Sequence, residues 1–364
     1  MRRLSREAQW TADMSEHACL LAVSARTPVG AGSAASAAAV RAGMALFKNH
    51  PFMVDAKGQS MVVARDTFLP VEMAVADRLA VLGTSALQEA VSALKGVDPA
   101  RLPAISVLAG LPEPRPGLPE HLVAELSPRL QHALGAPCRV SGIAASQHGH
   151  AAGLLAVGSA LARIRAGSDE LFLAGGIDSW LEPETLEWLD ASGQLHALSN
   201  TWGFIPGEAA AFCLLAGKST AKRLGFEPLQ WVGAFGMTRE HNLIKTDTVC
   251  LGHGMTEAIR QAAAGLPAGQ RVDQGYGDIN GEPYRGDELG YAIVRTSEHF
   301  VAPGDFITPA DCWGDIGAAS GPAYVALASI AATRGYAKGP RAMTLASSEG
   351  GARAALLLHT PLAR

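Results

Sequence analysis

The sequence predicts an α/β protein built from two similar halves in a layered α-β-α-β-α arrangement. Apolar runs of strand length alternate with segments of helical periodicity through the whole chain. Such alternation is typical of parallel or mixed sheets covered by helices. The 364 residues are 48% hydrophobic, 18% charged and include 40 glycines, which favours closely packed elements. We place the halves at residues 18–218 and 219–364.

The first half contains four predicted strands and four predicted helices. The strands are the apolar runs ACLLAVSA from Ala18, AISVLAG from Ala104, CRVSGI from Cys138 and ELFLAGG from Glu170. The helices cover residues 33–43, 76–94, 119–134 and 150–167, and the last ends at a glycine suited to a left-handed cap.

The second half repeats this alternation. The strand EAAAFCLLAG stands at the junction of the two halves. It is followed by the strands LQWVGAFGM, AMTLASS and AALLLH. The helices of the second half cover residues 254–264, 287–300 and 317–334. Two similar halves predict two sheets separated and covered by helices.

Charge and cysteine content exclude several classes of function. A net charge of -4 without a long basic run argues against binding to nucleic acid or an anionic membrane. The polar start MRRLSREAQWTADMSEH lacks the apolar core of a signal peptide, and no apolar run has the length of a membrane span. The five cysteines show no CxxC spacing. We expect a cytoplasmic protein without a metal or cofactor.

Three short motifs are explained better by a structural role than by a functional one. Gly30, Gly32 and Ala35 form a GxGxxA pattern, but three residues separate it from the strand, which weakens a dinucleotide site. Ser219 and Lys222 form SxxK without the companion elements of a serine hydrolase. The pair His148 and His150 forms HxH without a further ligand nearby, so a structural role is preferred. GxSxG and HExxH motifs are absent.

The stretch SQHGHAAGLL is a small-residue turn that leads into a helix, and it places His150 where a nucleophile would stand. Several segments, this one included, resemble the β-ketoacyl synthases of the thiolase superfamily. The resemblance lies in VSARTPVG, HAAGLLAVGSALARIRAGSDELFLAGGIDSW, WGFIPGEAAAFCLL, INGEPYRGDELG, WGDIGAASGPAYVALA and SSEGGARAALLLH, which keep the family's order from about Ala18 to His359.

The resemblance implies a duplicated five-layer thiolase fold, usually a dimer, in fatty-acid or polyketide-type acyl metabolism. In that family a cysteine at a helix start takes an acyl group from an acyl carrier protein or coenzyme A thioester, and two histidines assist. This chain differs at all three positions, which carry His150, Asn280 and Asp315. The resemblance also implies substrate-binding positions, at His148, Phe204, Glu349 and Gly350.

These substitutions leave several readings open. In the first interpretation, the chain is a non-condensing partner of a ketosynthase and is similar to a chain length factor. It would then form a homodimer or a heterodimer with the ketosynthase. Alternatively, it is an acyltransferase or thioester-processing enzyme in which His150 acts with Asp315 and Asn280, the helix dipole keeping the imidazole neutral. His150 could also merely fill space, or the fold could bind acyl chains without catalysis.

Overall fold

A ten-stranded sheet runs through the computed structural model, which describes residues 18–135 and 138–361. Its strands are β1 Ala18–Arg26, β4 Ile105–Leu111, β5 Val140–Gln147, β6 Leu171–Ser179, β7 Glu208–Gly217, β8 Gln230–Arg239, β9 Gln274–Tyr276, β10 Phe306–Ile307, β11 Arg341–Ser347 and β12 Ala352–His359. A separate hairpin consists of β2 Lys48–Val54 and β3 Ser60–Val63.

The helices of the described residues lie between and outside these strands. They are α1 Ser33–Arg41, α2 Val75–Ser92, α3 Leu122–Ala133, α4 Ala152–Arg165, α5 Pro183–Ala191, α6 Lys218–Leu224, α7 His253–Ala263, α8 Pro283–Val294, α9 Ala310–Trp313 and α10 Ser320–Thr333. None of these helices is long and apolar enough to cross a membrane.

The strand order shows the duplication. One half of the sheet runs β1-β7-β6-β4-β5 and the other runs β8-β12-β11-β9-β10. Both halves have two antiparallel pairings followed by two parallel ones. The halves meet where the first residues of β1 pair with β8. The exact boundary that we predict at residue 218 stays a prediction.

Helices α4 and α10 form the central layer between the two half-sheets. Helix α4 packs on β4 and β6 and also touches β12, while α10 contacts strands of both halves. Nearly every residue of α10 is buried, as expected of a helix that is apolar on all sides. Helices α2 and α3 cover the first half and α7 covers the second. The predicted α/β class and five layers are therefore confirmed.

Several element boundaries differ from the sequence-based expectation. The helix predicted over 287–300 begins at Pro283, which suits a first helical turn, and ends at Val294. His150 precedes α4, in a 3-10 turn over Gly149–Ala151. The β2–β3 hairpin, α5 and the very short β9 and β10 were not predicted. The opening segment on which the expectation about a signal peptide rests lies outside the described residues.

Candidate functional site

The turn between β5 and α4 holds His150 in the interior. Gly149 takes a φ of 60°, a left-handed conformation that favours glycine. The amide of Ala151 donates to Ser348 Oγ at 2.9 Å, which ties the turn to the end of β11. His150 is 3% exposed. The position at which we expect a nucleophile thus carries a buried imidazole, in the turn that leads into the central helix.

Asp315 lies on the opposite side of the site, in the loop between α9 and α10. Two glycines with positive φ, Gly314 at 70° and Gly317 at 51°, flank it and allow the chain to turn sharply. Its amide donates to the carbonyl of Ile205 and its carbonyl accepts from Gly207, both at 2.8 Å. These bonds fix the backbone of Asp315, so that its carboxylate is held beside His150.

The three predicted positions converge on this carboxylate. His150 Nε2 lies 2.9 Å from both oxygens of Asp315, and Asn280 Nδ2 donates to Oδ2 at 2.7 Å. The other oxygen accepts from Trp180 Nε1 at 3.2 Å and from the amide of Gly317 at 2.8 Å. Asp315 is therefore the centre of the cluster and is saturated with donors.

Arg285 completes the cluster, and sequence reasoning missed it. Its side chain projects from the first turn of α8 and is almost fully buried, at 2% exposure. Nη1 donates to Asp278 Oδ2 at 3.2 Å and to the carbonyl of Ser347 at 3.0 Å. Nη2 lies 3.2 Å from His150 Nε2 and 3.4 Å from Nδ1. The signal was present, because Arg285 belongs to the segment INGEPYRGDELG that carries part of the resemblance.

The electrostatics of the cluster favour a charged pair. Burial and the Arg285 guanidinium lower the pKa of His150, but the Asp315 carboxylate outweighs them and the pKa lies above its ordinary value of 6.5. Burial raises the pKa of Asp315, yet His150, Arg285 and Asn280 together hold it well below its usual range. The neutral imidazole expected from the helix dipole alone is thus not what the structure favours.

A cavity of about 170 Å³ leads to His150 from outside. Arg115 lies over the Trp180 indole at 3.7 Å and pairs with Asp178 at 2.7 Å, which makes one wall rigid. Lys245 bonds Glu349, another residue of the lining, and lies 3.3 Å from Glu282. The remaining lining residues are Glu113, Pro114, Gly149 and Trp188.

The four predicted substrate-binding residues have different surroundings. Phe204 is buried against Trp180, with ring centroids 5.3 Å apart. Glu349 faces the cavity. His148 is exposed, and its carbonyl accepts from the Ser348 hydroxyl. Gly350 donates its amide to Glu113 at 3.0 Å. Only Glu349 of the four lines the cavity that reaches His150.

The thiols of all five cysteines have a raised pKa. Burial raises the pKa of Cys19 and Cys213 to about 12 and also raises that of Cys138, Cys250 and Cys312. A thiol nucleophile needs the opposite shift. None of the five lies in the turn before α4.

The GxGxxA motif also has a structural explanation. Glu89 places its carboxylate at the start of α1, where it accepts from the amide and hydroxyl of Ser33 at 2.9 and 2.7 Å and from the amide of Ala25 at 3.0 Å. A dinucleotide would put its pyrophosphate at this helix end. The carboxylate already satisfies these donors.

Comparison with solved structures identifies the fold. No family model and no curated protein matches the chain. The ishigamide ketosynthase/chain length factor matches with a TM-score of 0.78 at 17% identity, covering 95% of this chain and 99% of that one. A type II polyketide ketosynthase, AntDE in complex with its acyl-carrier protein AntF, matches at 0.78 and 14% with the same coverage.

A ketosynthase domain of oxazolomycin synthesis from Streptomyces albus extends the comparison. It has a TM-score of 0.70 and 17% identity, and the match covers 96% of this chain and 76% of that chain. The resemblance read from the sequence is thereby confirmed at the level of the fold. The chain therefore has the fold that these ketosynthase structures share.

Proposed function

We propose that this chain is a non-condensing member of a ketosynthase assembly, comparable to a chain length factor, in polyketide-type or fatty-acid-type acyl metabolism. The observation that carries the proposal is the buried His150–Asp315–Arg285 cluster, at the position that the sequence resemblance assigns to the family's nucleophile. At this position the chain carries an imidazole whose Nε2 is bonded to Asp315, in place of a thiolate.

Acyl transfer to His150 would need a ring nitrogen with a free lone pair. Nε2 faces both oxygens of Asp315, and Arg285 Nη2 lies within 3.4 Å of Nδ1. When the ring is protonated it has no lone pair. When it is neutral with Nε2–H bonded to Asp315, Nδ1 lies 3.4 Å from Arg285 Nη2, and the positive charge of the guanidinium lowers the nucleophilicity of this nitrogen. Both protonation states therefore disfavour an acyl-imidazole.

The size of the access cavity supports the same conclusion. At about 170 Å³ it is smaller than the roughly 300–1,000 Å³ of pockets that enclose small-molecule ligands. Arg115, Trp180 and the Lys245–Glu349 pair hold its walls in place. An extended acyl chain would require these groups to move.

The alternative function is an acyltransferase or thioester-processing enzyme that uses His150 with Asp315 and Asn280. The observation in its favour is that these three side chains do converge and that His150 contributes to the wall of a cavity. The acyltransferase is the second candidate because His150 is buried, its Nε2 is bonded to Asp315 and its Nδ1 lies 3.4 Å from Arg285 Nη2.

Partnership is supported by strand β5. It forms one end of the sheet, so one of its edges faces no other strand among the described residues, and Ser141, Gly142 and Ala144 are exposed. Exposed strand edges readily pair with another chain. We propose that an active ketosynthase pairs with this chain along the free edge of β5. A homodimer is the competing arrangement. The assembly would act on acyl groups bound to an acyl carrier protein.

The first experiment measures acylation. The purified chain is incubated with acyl-coenzyme A or acyl-carrier substrates and its intact mass is recorded. The proposal predicts no adduct and no turnover. An adduct that is lost in His150→Ala would overturn the proposal in favour of the acyltransferase.

The second experiment measures partnership. Co-expression with a ketosynthase that keeps its Cys-His-His residues should give a heterodimer by native mass spectrometry. Ala144→Arg on β5 should abolish it, whereas Ala268→Arg, at an exposed turn elsewhere, should not. A homodimer that persists in the presence of the ketosynthase would contradict the partner role.

A further inference from the structure

A second cluster of ligand-type side chains lies outside the His150 site. Glu240 follows β8, Cys250 ends the loop before α7, and Glu288 lies in α8. One ligand atom from each lies within 4.8 Å of those of the other two. Two of the three residues are buried, Glu240 at 3% and Glu288 at 1% exposure.

Glu288 has an oxygen that lacks a partner. Its Oε1 accepts from Arg353 Nε at 2.6 Å. Its Oε2 has no hydrogen-bond partner in the described part of the chain, although it is buried. A buried and unsatisfied carboxylate oxygen is costly, and such a group in a native protein needs an explanation. A bound ligand that accepts this lone pair would supply one.

Glu240 is held in a fixed orientation beside it. Its Oε2 accepts from the amide of Gly254 at 2.7 Å, and its Oε1 accepts from the amides of His241 and Asn242 at 3.0 and 3.2 Å. These bonds lower the pKa of its carboxyl against the effect of burial. Because each carboxylate oxygen has two lone pairs, Oε2 retains one for a further bond.

Cys250 supplies the third potential ligand. Its thiol donates a hydrogen bond to Glu288 Oε1 at 3.5 Å, which places the sulfur beside this carboxylate. Zinc bonds sulfur at about 2.3 Å and carboxylate oxygen at about 2.0–2.2 Å, so a tetrahedral site separates the two ligand atoms by roughly 3.5 Å. Burial, Glu288 and Glu240 raise the pKa of the thiol.

We propose that Glu240, Cys250 and Glu288 form a binding site for a divalent cation of the zinc type. On binding, the Cys250 S–H bond breaks, its proton leaves to solvent and the sulfur bonds the metal. The two carboxylates, the thiolate, the divalent cation and Arg353 then balance in charge. Arg353 Nη2 is a further buried atom, with no hydrogen-bond partner among the residues that the structure describes, and a water on the fourth coordination position would accept from it.

The site would act on the loop that reaches the cavity. Glu240 and Cys250 bracket the loop that carries Lys245, which contacts Glu349 at the cavity wall. Among the described residues other than glycine, Lys245 alone has a positive φ, of 58°. This backbone conformation is costly for a lysine, so other interactions of the loop must stabilise it. The cation would fix both ends of the loop.

The test is binding of Co²⁺ and Zn²⁺ to the full chain after removal of metal by a chelator. Wild type should bind one Co²⁺ per chain with a thiolate-to-cobalt charge-transfer band, and Zn²⁺ should displace it. Cys250→Ser should lose the band, whereas Cys138→Ser, another partly buried cysteine, should retain it. Zn²⁺ should also slow tryptic cleavage after Lys245 at least several-fold in wild type only.

The absence of a thiolate band in wild type, or a band of equal strength in Cys250→Ser, would overturn the proposal. If Cys250→Ser does not fold, Glu240→Gln should weaken Co²⁺ binding at least tenfold, and unchanged binding would count equally against the site. Glu288→Gln is unsuitable because it would leave the buried Arg353 without its counter-charge.

Discussion

Replacing Asp315 with asparagine should destabilise the protein strongly. The substitution keeps the shape of the side chain but removes the charge that faces His150 at 2.9 Å and that Arg285 also stabilises. It also places an amide group where one carboxylate oxygen now accepts from Asn280, Trp180 or Gly317. His150 then loses its carboxylate partner, whereas Arg285 keeps Asp278 at 3.2 Å and Glu282 at 3.5 Å.

The magnitude follows from the burial of the pair. His150 and Asp315 side chains are 4% and 2% exposed, so solvent does little to screen the remaining charge. Removing one partner of a buried ion pair costs about 3–5 kcal/mol. Asp305→Asn is the matched control, since the Lys338–Asp305 pair is about half exposed and should contribute less than about 1 kcal/mol.

The pH dependence carries the more specific expectation. In wild type the pKa of His150 lies above 6.5, so its contribution to stability is complete below that value and is lost as pH rises through the folded-state pKa. In Asp315→Asn, burial and Arg285 remain and lower the pKa of His150, so the charged ring opposes folding at low pH. The difference in stability between the two proteins should therefore shrink as pH rises.

Urea unfolding of both proteins between about pH 5 and pH 9 measures this difference. His50 and His359, whose pKa values burial lowers, contribute similarly to both proteins and largely cancel. A loss in Asp315→Asn that is below about 1 kcal/mol, or one that grows with pH, would refute the ion pair.

Three further predictions concern the packing around the site, the loop of Lys245 and the cysteines. Gly110→Ala should lower the free energy of unfolding in urea by about 1–3 kcal/mol, because the added Cβ would lie 2.3 Å from the backbone of Ala152. Gly142→Ala on the adjacent strand has open space and should leave this free energy nearly unchanged, and equal effects of the two substitutions would contradict the close packing of α4 on β4. Lys245→Gly should be more stable than Lys245→Ala by about 1 kcal/mol because glycine suits the positive φ, and the reverse order would contradict that backbone. Alkylation followed by intact mass should label the partly exposed Cys138 before the buried Cys213, and labelling of Cys213 first would contradict its burial.

Much of the fold was predictable because its strands and helices have strong periodicity. The buried strands β6, β7 and β12 are continuous apolar runs, and α10 is apolar on all sides. Strands β9 and β10 span three and two residues, too few for any period to appear. The β2–β3 hairpin has mostly exposed residues in β2, so its apolar pattern is weak.

The site was predictable in its positions but less so in its chemistry. The resemblance located His150, Asn280 and Asp315, and the structure brings them together. The role of Arg285 depends on the fold of α8 against β11, since its partners Asp278 and Ser347 come from separate parts of the chain. The charge on His150 depends in turn on Arg285 and Asp315, so spacing alone could not give it.

The most direct test of the buried ion pair is to measure the protonation of His150. Ring-nitrogen NMR of the full chain measures it, and comparison with His150→Ala assigns the signals. We expect the ring-nitrogen signals of His150 to titrate with a pKa above 6.5 and to stay unchanged when acyl-coenzyme A is added. A neutral ring with a pKa below 6.5, whose signal shifts with the thioester, would contradict it and return His150 to the role of a nucleophile.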